Sequence, residues 1–198
     1  MEHPKKTYYP KYDVLEQFHE WDAYTQQVIQ QRLSQSDVSF FSEQEKMLLL
    51  AIYPILFPSH LGEIKTNVIE IVDQRIQHGD IQGFVKGTRH QKVDVIKGGL
   101  QNIFEHTYTL WHKPFSQLKK EQQIAFIENL RNNQGFLNIW EEYSPQLFFK
   151  TLMQELIPIV YSDPNIWSRI GYGGPAYPRG YYAFGPNQFD SREAEIHD

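Results

Sequence analysis

Apolar residues recur at every third or fourth position through most of this 198-residue chain, and no segment alternates between apolar and polar in the manner of a strand. The first spacing is that of one face of an α-helix, so the sequence predicts an all-α fold. We expect a single helical domain of about six helices, with an extended N-terminal arm and a long C-terminal loop rich in Gly, Pro and Tyr. The predicted helices span 22–33, 42–53, 60–79, 93–104, 119–132 and 144–161, followed by a short helical turn at 163–170.

Local signals mark the start of several of these helices. Ser42 and Glu45 form a capping box, in which the Ser side chain accepts from the Glu amide and the Glu side chain accepts from the Ser amide. Ser144 precedes Pro145. Proline fits the first helical position because an amide hydrogen at that position would have no acceptor within the helix. Asp163 also precedes a proline, so we predict that Asp163 is the N-cap of the short helical turn.

Prolines and glycines should disturb two of the predicted helices. Pro54 and Pro58 lack an amide hydrogen and should end or kink the apolar helix that begins after Ser42. Gly98 and Gly99 each cost about 1 kcal/mol relative to Ala inside a helix. We interpret this pair as a close approach of another backbone or as a break in the helix.

Regular periodicity is absent at both ends of the chain. We therefore predict an N-terminal arm (1–21), a helical domain (22–185) and an acidic tail (186–198). The arm has no apolar periodicity, but its aromatic side chains should dock on the body of the protein. These side chains are Tyr8, Tyr9, Tyr12, Phe18 and Trp21.

Residues 161–182, which we call the aromatic segment, have an unusual composition. They include five Tyr, one Trp, four Gly and three Pro. Aromatic side chains at this density indicate burial, whereas Gly and Pro prevent a regular helix beyond the short turn. Two interpretations stay open: the segment covers the helices of its own domain, or it binds a partner protein, because Tyr, Trp and Arg are enriched where proteins meet.

Composition excludes several classes of function. The formal net charge is −5 and no run of Lys and Arg appears, which argues against nucleic acid binding. The longest apolar run, 47–57, is shorter than the roughly 20 residues that cross a bilayer, so we expect no direct membrane insertion. The chain has no Cys, which excludes disulfides and thiol catalysis.

Motifs that carry chemistry are missing from the sequence. No two of the eight His residues are four positions apart, the spacing that places two imidazoles on one helix face. Only His106 and His112 could converge, if their helix ends between them. There is no nucleophile elbow, P-loop or dinucleotide fingerprint. We therefore predict no catalytic, cofactor-binding or metal-binding residue. One alternative is a stand-alone small-molecule binder or metal-dependent enzyme that uses His106, His112 and nearby tyrosines. Another is a structural protein that self-associates through residues 161–182.

The order of residues in the aromatic segment is more informative than its composition. The run from Tyr161 to Tyr181, YSDPNIWSRIGYGGPAYPRGY, resembles the C-terminal signature of the gluconate 2-dehydrogenase small-subunit (subunit 3) family. Other matching stretches follow in the family's order, among them FFSEQE at Phe40 to Glu45 and VDQ at Val72 to Gln74. The resemblance covers about residues 8–185.

The resemblance implies a non-catalytic accessory subunit. Family members are small helical chains that pair with a large FAD-dependent dehydrogenase chain of the glucose–methanol–choline type, which oxidises sugars, sugar acids or polyols. The small chains help the large dehydrogenase chain to fold, remain stable and be exported. The electrons of the large chain commonly leave through a cytochrome subunit. On this basis we predict that FAD is on the partner and not on this chain. The predicted partner-binding residues are Trp167, Tyr172, Tyr177, Arg179 and Tyr181, with Trp167 facing inward and Arg179 outward.

The N-terminus departs from the pattern of many family members, which carry a twin-arginine signal peptide. The first residues show neither twin arginines nor the apolar stretch of a signal peptide. We therefore expect a cytoplasmic protein, with the periplasm or cell surface as the alternative that the family implies.

Overall fold

The structure is a computed structural model that describes residues 9–34, 39–135, 138–176, 178, 180 and 192–196. These residues form helices and no strand, with one isolated β-bridge between Phe84 and Gln91. The predicted all-α fold is confirmed. The α-helices are α1 (Ala23–Leu33), α2 (Glu43–Leu56), α3 (Val68–Gln77), α4 (Lys92–Trp111), α5 (Lys120–Asn132), α6 (Pro145–Val160) and α7 (Pro164–Ile170). Four 3-10 helices are Val14–Glu20, Ser59–Leu61, Phe115–Gln117 and Asn138–Trp140.

The described residues group into two compact units. The first draws on the ranges 1–36, 58–68 and 158–198, and the second on 37–57 and 69–157. The predicted boundaries at residues 21 and 185 stay predictions.

The second unit has a core of aliphatic and aromatic side chains. In it α2 packs against α5 and against Phe115–Gln117, while α4 packs against Asn138–Trp140. The periodic apolar faces of these helices supply the side chains that are almost completely removed from water. They include Leu49, Ile52, Ile96, Leu100, Ile103, Phe115, Leu130, Phe148, Leu152 and Leu156.

In the first unit, α7 packs against the 3-10 helix Val14–Glu20. Its buried cluster consists of Val14, Trp21, Ile29 and Trp167. We predicted an extended arm here, and the structure differs because Asp13 caps the 3-10 helix by accepting from the Leu15 amide at 3.0 Å. Of the aromatic side chains expected to dock, Trp21 belongs to this cluster and Tyr12 and Phe18 pack against it. Tyr8 lies outside the described residues.

Pro54 neither ends nor visibly breaks α2, which continues to Leu56. Pro54 lies in the last turn of the helix, so few backbone hydrogen bonds follow the one that it removes. The helix ends where the next proline, Pro58, excludes helical angles for the residue before it. Phe57 is accordingly extended, at φ −113° and ψ 142°.

The helix predicted to start at residue 60 starts eight residues later, at Val68. Ser59–Leu61 form a short 3-10 helix, and Gly62 then adopts a positive φ of 77°, which L side chains rarely adopt. The amide of Thr66 donates to the carboxylate of Asp163 at 2.6 Å. This tertiary hydrogen bond holds the segment outside the helix, and no local periodicity could reveal it.

Gly98 and Gly99 lie inside an unbroken α4, so the predicted alternative of a break is wrong. A Cβ at Gly98 would meet the ring of Tyr143, and one at Gly99 would meet the ring of Phe148. The glycines therefore give room to two aromatic rings, and not to another backbone as we expected.

Candidate partner-binding site

Asp163 organises the start of the aromatic segment. Its carboxylate is completely buried and accepts from the amides of Asn165 at 2.7 Å and Ile166 at 3.3 Å, as the N-cap of α7. It also accepts from the amide of Thr66 at 2.6 Å, which ties the segment after Gly62 to the start of α7. The side chain of Asn165 strengthens this link by donating to the Glu63 carbonyl at 2.6 Å.

Trp167 is an anchor inside the first unit. Only 7% of its surface is exposed, and its Nε1 donates to the Tyr161 carbonyl at 2.6 Å. Its ring meets the edge of Trp21 at 6.3 Å and that of Tyr172 at 5.3 Å, measured between ring centroids. Such edge-to-face contacts favour a fixed arrangement of the rings. Trp167 thus faces inward, as expected.

Two glycines let the chain leave α7 through this crowded region. Gly171 ends the helix in the left-handed conformation at φ 71°, and Tyr172 donates its amide to the Trp167 carbonyl at 2.9 Å. A Cβ at Gly171 would lie 2.6 Å from the ring of Tyr9, and one at Gly174 would lie 2.6 Å from Trp21. Any larger residue at either position would displace a ring.

Of the two predicted residues that the structure describes, Tyr172 reaches the surface, with 40% of its area exposed. The structure therefore brings Trp167 and Tyr172 together as a buried anchor and an exposed neighbour. Tyr177, Arg179 and Tyr181 lie outside the described residues. The partner-binding role of all five residues stays a prediction.

The two histidines of the alternative hypothesis have different surroundings. His106 on α4 is 2% exposed and packs edge-on against Phe126, with 5.5 Å between ring centroids. This burial lowers the pKa of His106, because a charged imidazole is costly away from water. His112 follows α4 as its C-cap, with φ 52°. Within the described ranges, no group of three or more His, Asp or Glu side chains could hold a metal ion.

Sequence reasoning missed two buried acids, Asp73 and Glu155. Asp73 on α3 accepts from the amides of Phe40 and Phe41, and Lys46 lies 3.8 Å from its carboxylate. These contacts hold the segment before α2 against α3. An acid within an otherwise apolar helix face was the available signal, since charged residues are rarely buried without a partner.

Glu155 on α6 is the second of these acids. Its carboxylate oxygens lie 2.9 Å from Lys92 Nζ and 3.4 Å from a guanidinium nitrogen of Arg75. The three side chains come from α6, α4 and α3, so the ion pairs join three helices. Like Asp73, Glu155 is engaged in holding secondary structure elements together.

These features describe a helical protein with structural buried acids. Asp163, Asp73 and Glu155 cap helices or join secondary structure elements, and Trp167 anchors the aromatic segment. Within the described residues, no helix combines the length and the apolar content needed to cross a membrane.

The model of the gluconate 2-dehydrogenase subunit 3 family matches residues 43–174, two thirds of the chain. The chain belongs to this family. The matched range contains Trp167 and Tyr172 but ends before Tyr177. Neither the comparison with curated proteins nor that with solved structures returned a match.

Proposed function

We propose that this chain is a non-catalytic accessory subunit that binds and stabilises the large FAD-dependent subunit of a sugar, sugar-acid or polyol dehydrogenase. The observation that carries the proposal is family membership across residues 43–174, because the family is named for a subunit of a dehydrogenase. The large chain would hold FAD and perform the oxidation, and a cytochrome subunit is a further partner that this assembly would accommodate.

The arrangement of the aromatic segment supports a binding role. A buried anchor, Trp167, fixes α7, and the chain then passes into a Gly- and Pro-rich stretch that begins with the half-exposed Tyr172. Prolines and the fixed turn at Gly171 reduce the conformational freedom that binding would otherwise have to remove. An exposed Tyr beside such a rigid base is suited to a protein interface.

The buried polar groups support the same proposal, because their contacts are of a structural kind. Asp163 caps α7, Asp73 holds the segment before α2, and Glu155 pairs with cations from two other helices. Catalytic acids commonly line a cleft that admits a substrate. These three instead face backbone amides and cationic side chains of their own unit.

The double variant Tyr177→Ala/Arg179→Ala tests the interface. The measurement is its co-purification with the large flavoprotein chain. We expect the complex to weaken at least about tenfold, since Tyr and Arg are common hot-spot residues. Helical circular dichroism should stay at the wild-type level. A loss of helix content would assign these two residues to the folded core and would contradict a role in the interface.

A further inference from the structure

A short hairpin in the second unit, residues 83–92, presents an aromatic side chain that the predicted site does not include. Phe84 and Gln91 form its β-bridge. The Val85 amide donates to the His90 carbonyl at 2.9 Å, and the Lys92 amide donates to the Gly83 carbonyl at 3.0 Å. These hydrogen bonds close the hairpin immediately before α4 begins.

The tip of the hairpin is held by further contacts. Thr88 Oγ1 donates to the Val85 carbonyl at 3.0 Å and accepts from the His90 amide at 3.2 Å. The ring of His90 meets the edge of the Tyr143 ring, with 5.0 Å between centroids, and the side chain of Val85 is buried. The hairpin is thus attached to its unit on both sides of its turn.

Phe84 projects from this fixed base into solvent. Its exposed fraction is 63%, although its neighbour Val85 is buried. On an extended segment successive side chains point in opposite directions, so burying Val85 forces Phe84 outward. Beside it, Gly83 and Gly87 have φ values of 105° and 80°, and a Cβ on either would meet nothing within 4 Å. Another backbone could therefore approach the hairpin closely.

The charge around Phe84 is opposite in sign to that of the chain. Residues 80–94 contain three cations, Lys86, Arg89 and Lys92, and two acids at the ends, Asp80 and Asp94, so their net charge is +1, whereas the whole chain carries −5. Lys92 is engaged by Glu155 at 2.9 Å. Lys86 and Arg89 are exposed, and among the described residues neither makes an ion pair. Two exposed cations therefore follow the exposed ring of Phe84 within five residues of the chain.

We propose that this hairpin is a docking element for an acidic protein surface with an apolar pocket that takes the ring of Phe84. A ring held outward on a fixed backbone loses little freedom on binding, and Lys86 and Arg89 supply complementary charge at its rim. Identifying this surface with the large flavoprotein chain rests on the proposed function. The hairpin lies inside the family match, at residues 43–174.

A protein fits this surface better than an anionic membrane or a nucleic acid. Recognition of anionic lipid typically takes a cluster of about four to eight Lys or Arg residues, and the hairpin offers two available ones. Nucleic acid recognition takes a basic face or stripe. A single ring with two cations is instead the composition of a protein hot spot and its charged surroundings.

The test measures binding of full-length variants to the purified large flavoprotein chain by calorimetry at low and high salt. Phe84→Ala should raise the dissociation constant at least about tenfold. The double variant Lys86→Glu/Arg89→Glu should weaken binding and abolish most of its salt dependence. Tyr24→Ala, which removes an aromatic side chain that is 75% exposed, and Lys120→Glu/Lys150→Glu serve as controls and should bind within about twofold of wild type.

The outcomes separate the hairpin from the proposed function. If the wild-type chain does not bind the large chain at all, the proposed function fails. If wild type binds and the hairpin variants bind equally well, the hairpin inference fails while the proposed function stands. Sedimentation of the wild-type chain with phosphatidylserine vesicles, lost in Phe84→Ala, would make the hairpin a lipid contact and also overturn the inference.

Discussion

Gly99 is the residue of α4 whose replacement should reveal the packing of the second unit most clearly. A Cβ there would overlap the ring of Phe148, whose side chain is only 1% exposed. Ala in place of Gly normally stabilises a helix by about 1 kcal/mol, but overpacking a core costs about 1–3 kcal/mol. We expect Gly99→Ala to lower the free energy of unfolding, measured by urea denaturation.

Gly98 provides the control for that experiment. A Cβ at this position would meet the ring of Tyr143, which is only partly buried and can shift toward solvent. Gly98→Ala should therefore be close to neutral or slightly stabilising. If both variants were equally stable, the close contact between Gly99 and Phe148 would not limit packing in the way that we describe.

His106 should make stability depend on pH in a defined direction. Burial lowers its pKa in the folded protein below the ordinary value of 6.5, so below pH 6.5 the unfolded chain binds more protons. The free energy of unfolding should be largest above pH 6.5 and should fall as the pH is lowered, by at most about 1.4 kcal/mol per pH unit for one proton. His106→Gln, which does not titrate, should show a shallower decline in urea denaturation between pH 5 and pH 7. An identical decline in both proteins would contradict this role of His106.

At the scale of elements, Asp163 joins α7 to the segment after Gly62. Asp163→Ala removes the N-cap of α7 and leaves the buried Thr66 amide without its acceptor. We expect a loss of about 2–4 kcal/mol in the free energy of unfolding, the sum of a lost cap and an unpaired buried amide. Circular dichroism during urea denaturation measures it.

Ser42→Ala is the comparison, because Ser42 caps α2 at an exposed position and, among the described residues, its side chain bonds only to Glu45. It should cost only about 0.5–2 kcal/mol. Equal losses for both variants would mean that the hydrogen bond from Thr66 to Asp163 contributes nothing to stability.

Element starts were predictable where the signal was local. The capping box of Ser42 and Glu45 is present, and Ser144 accepts from the Leu147 amide at the start of α6. The start of α3 and the pairing of Asp73 with the segment before α2 were not predictable. Both depend on partners far away along the chain, which hydrophobic periodicity does not encode.

In the aromatic segment, the family and the inward orientation of Trp167 were predictable, while the partner-binding role of its residues stays a prediction. The order of residues in the aromatic segment pointed to the family, and the apolar ring of Trp167 pointed inward, as the structure shows. The exposure of Phe84 was not predictable, because a single Phe in a polar stretch gives no periodic signal. Its exposure follows from the hairpin hydrogen bonds and the burial of Val85, which only the fold reveals.

At the scale of the whole molecule, the central claim is that this chain stabilises a catalytic partner. A subunit that binds the folded large chain, but not its unfolded form, raises the apparent stability of the large chain by mass action. The most direct measurement is the half-life of dehydrogenase activity and of bound FAD at elevated temperature, for the large chain produced with and without this subunit. We predict a co-purifying complex with a longer half-life than that of the large chain alone. Separate purification, with the large chain equally stable and equally active alone, would contradict the account.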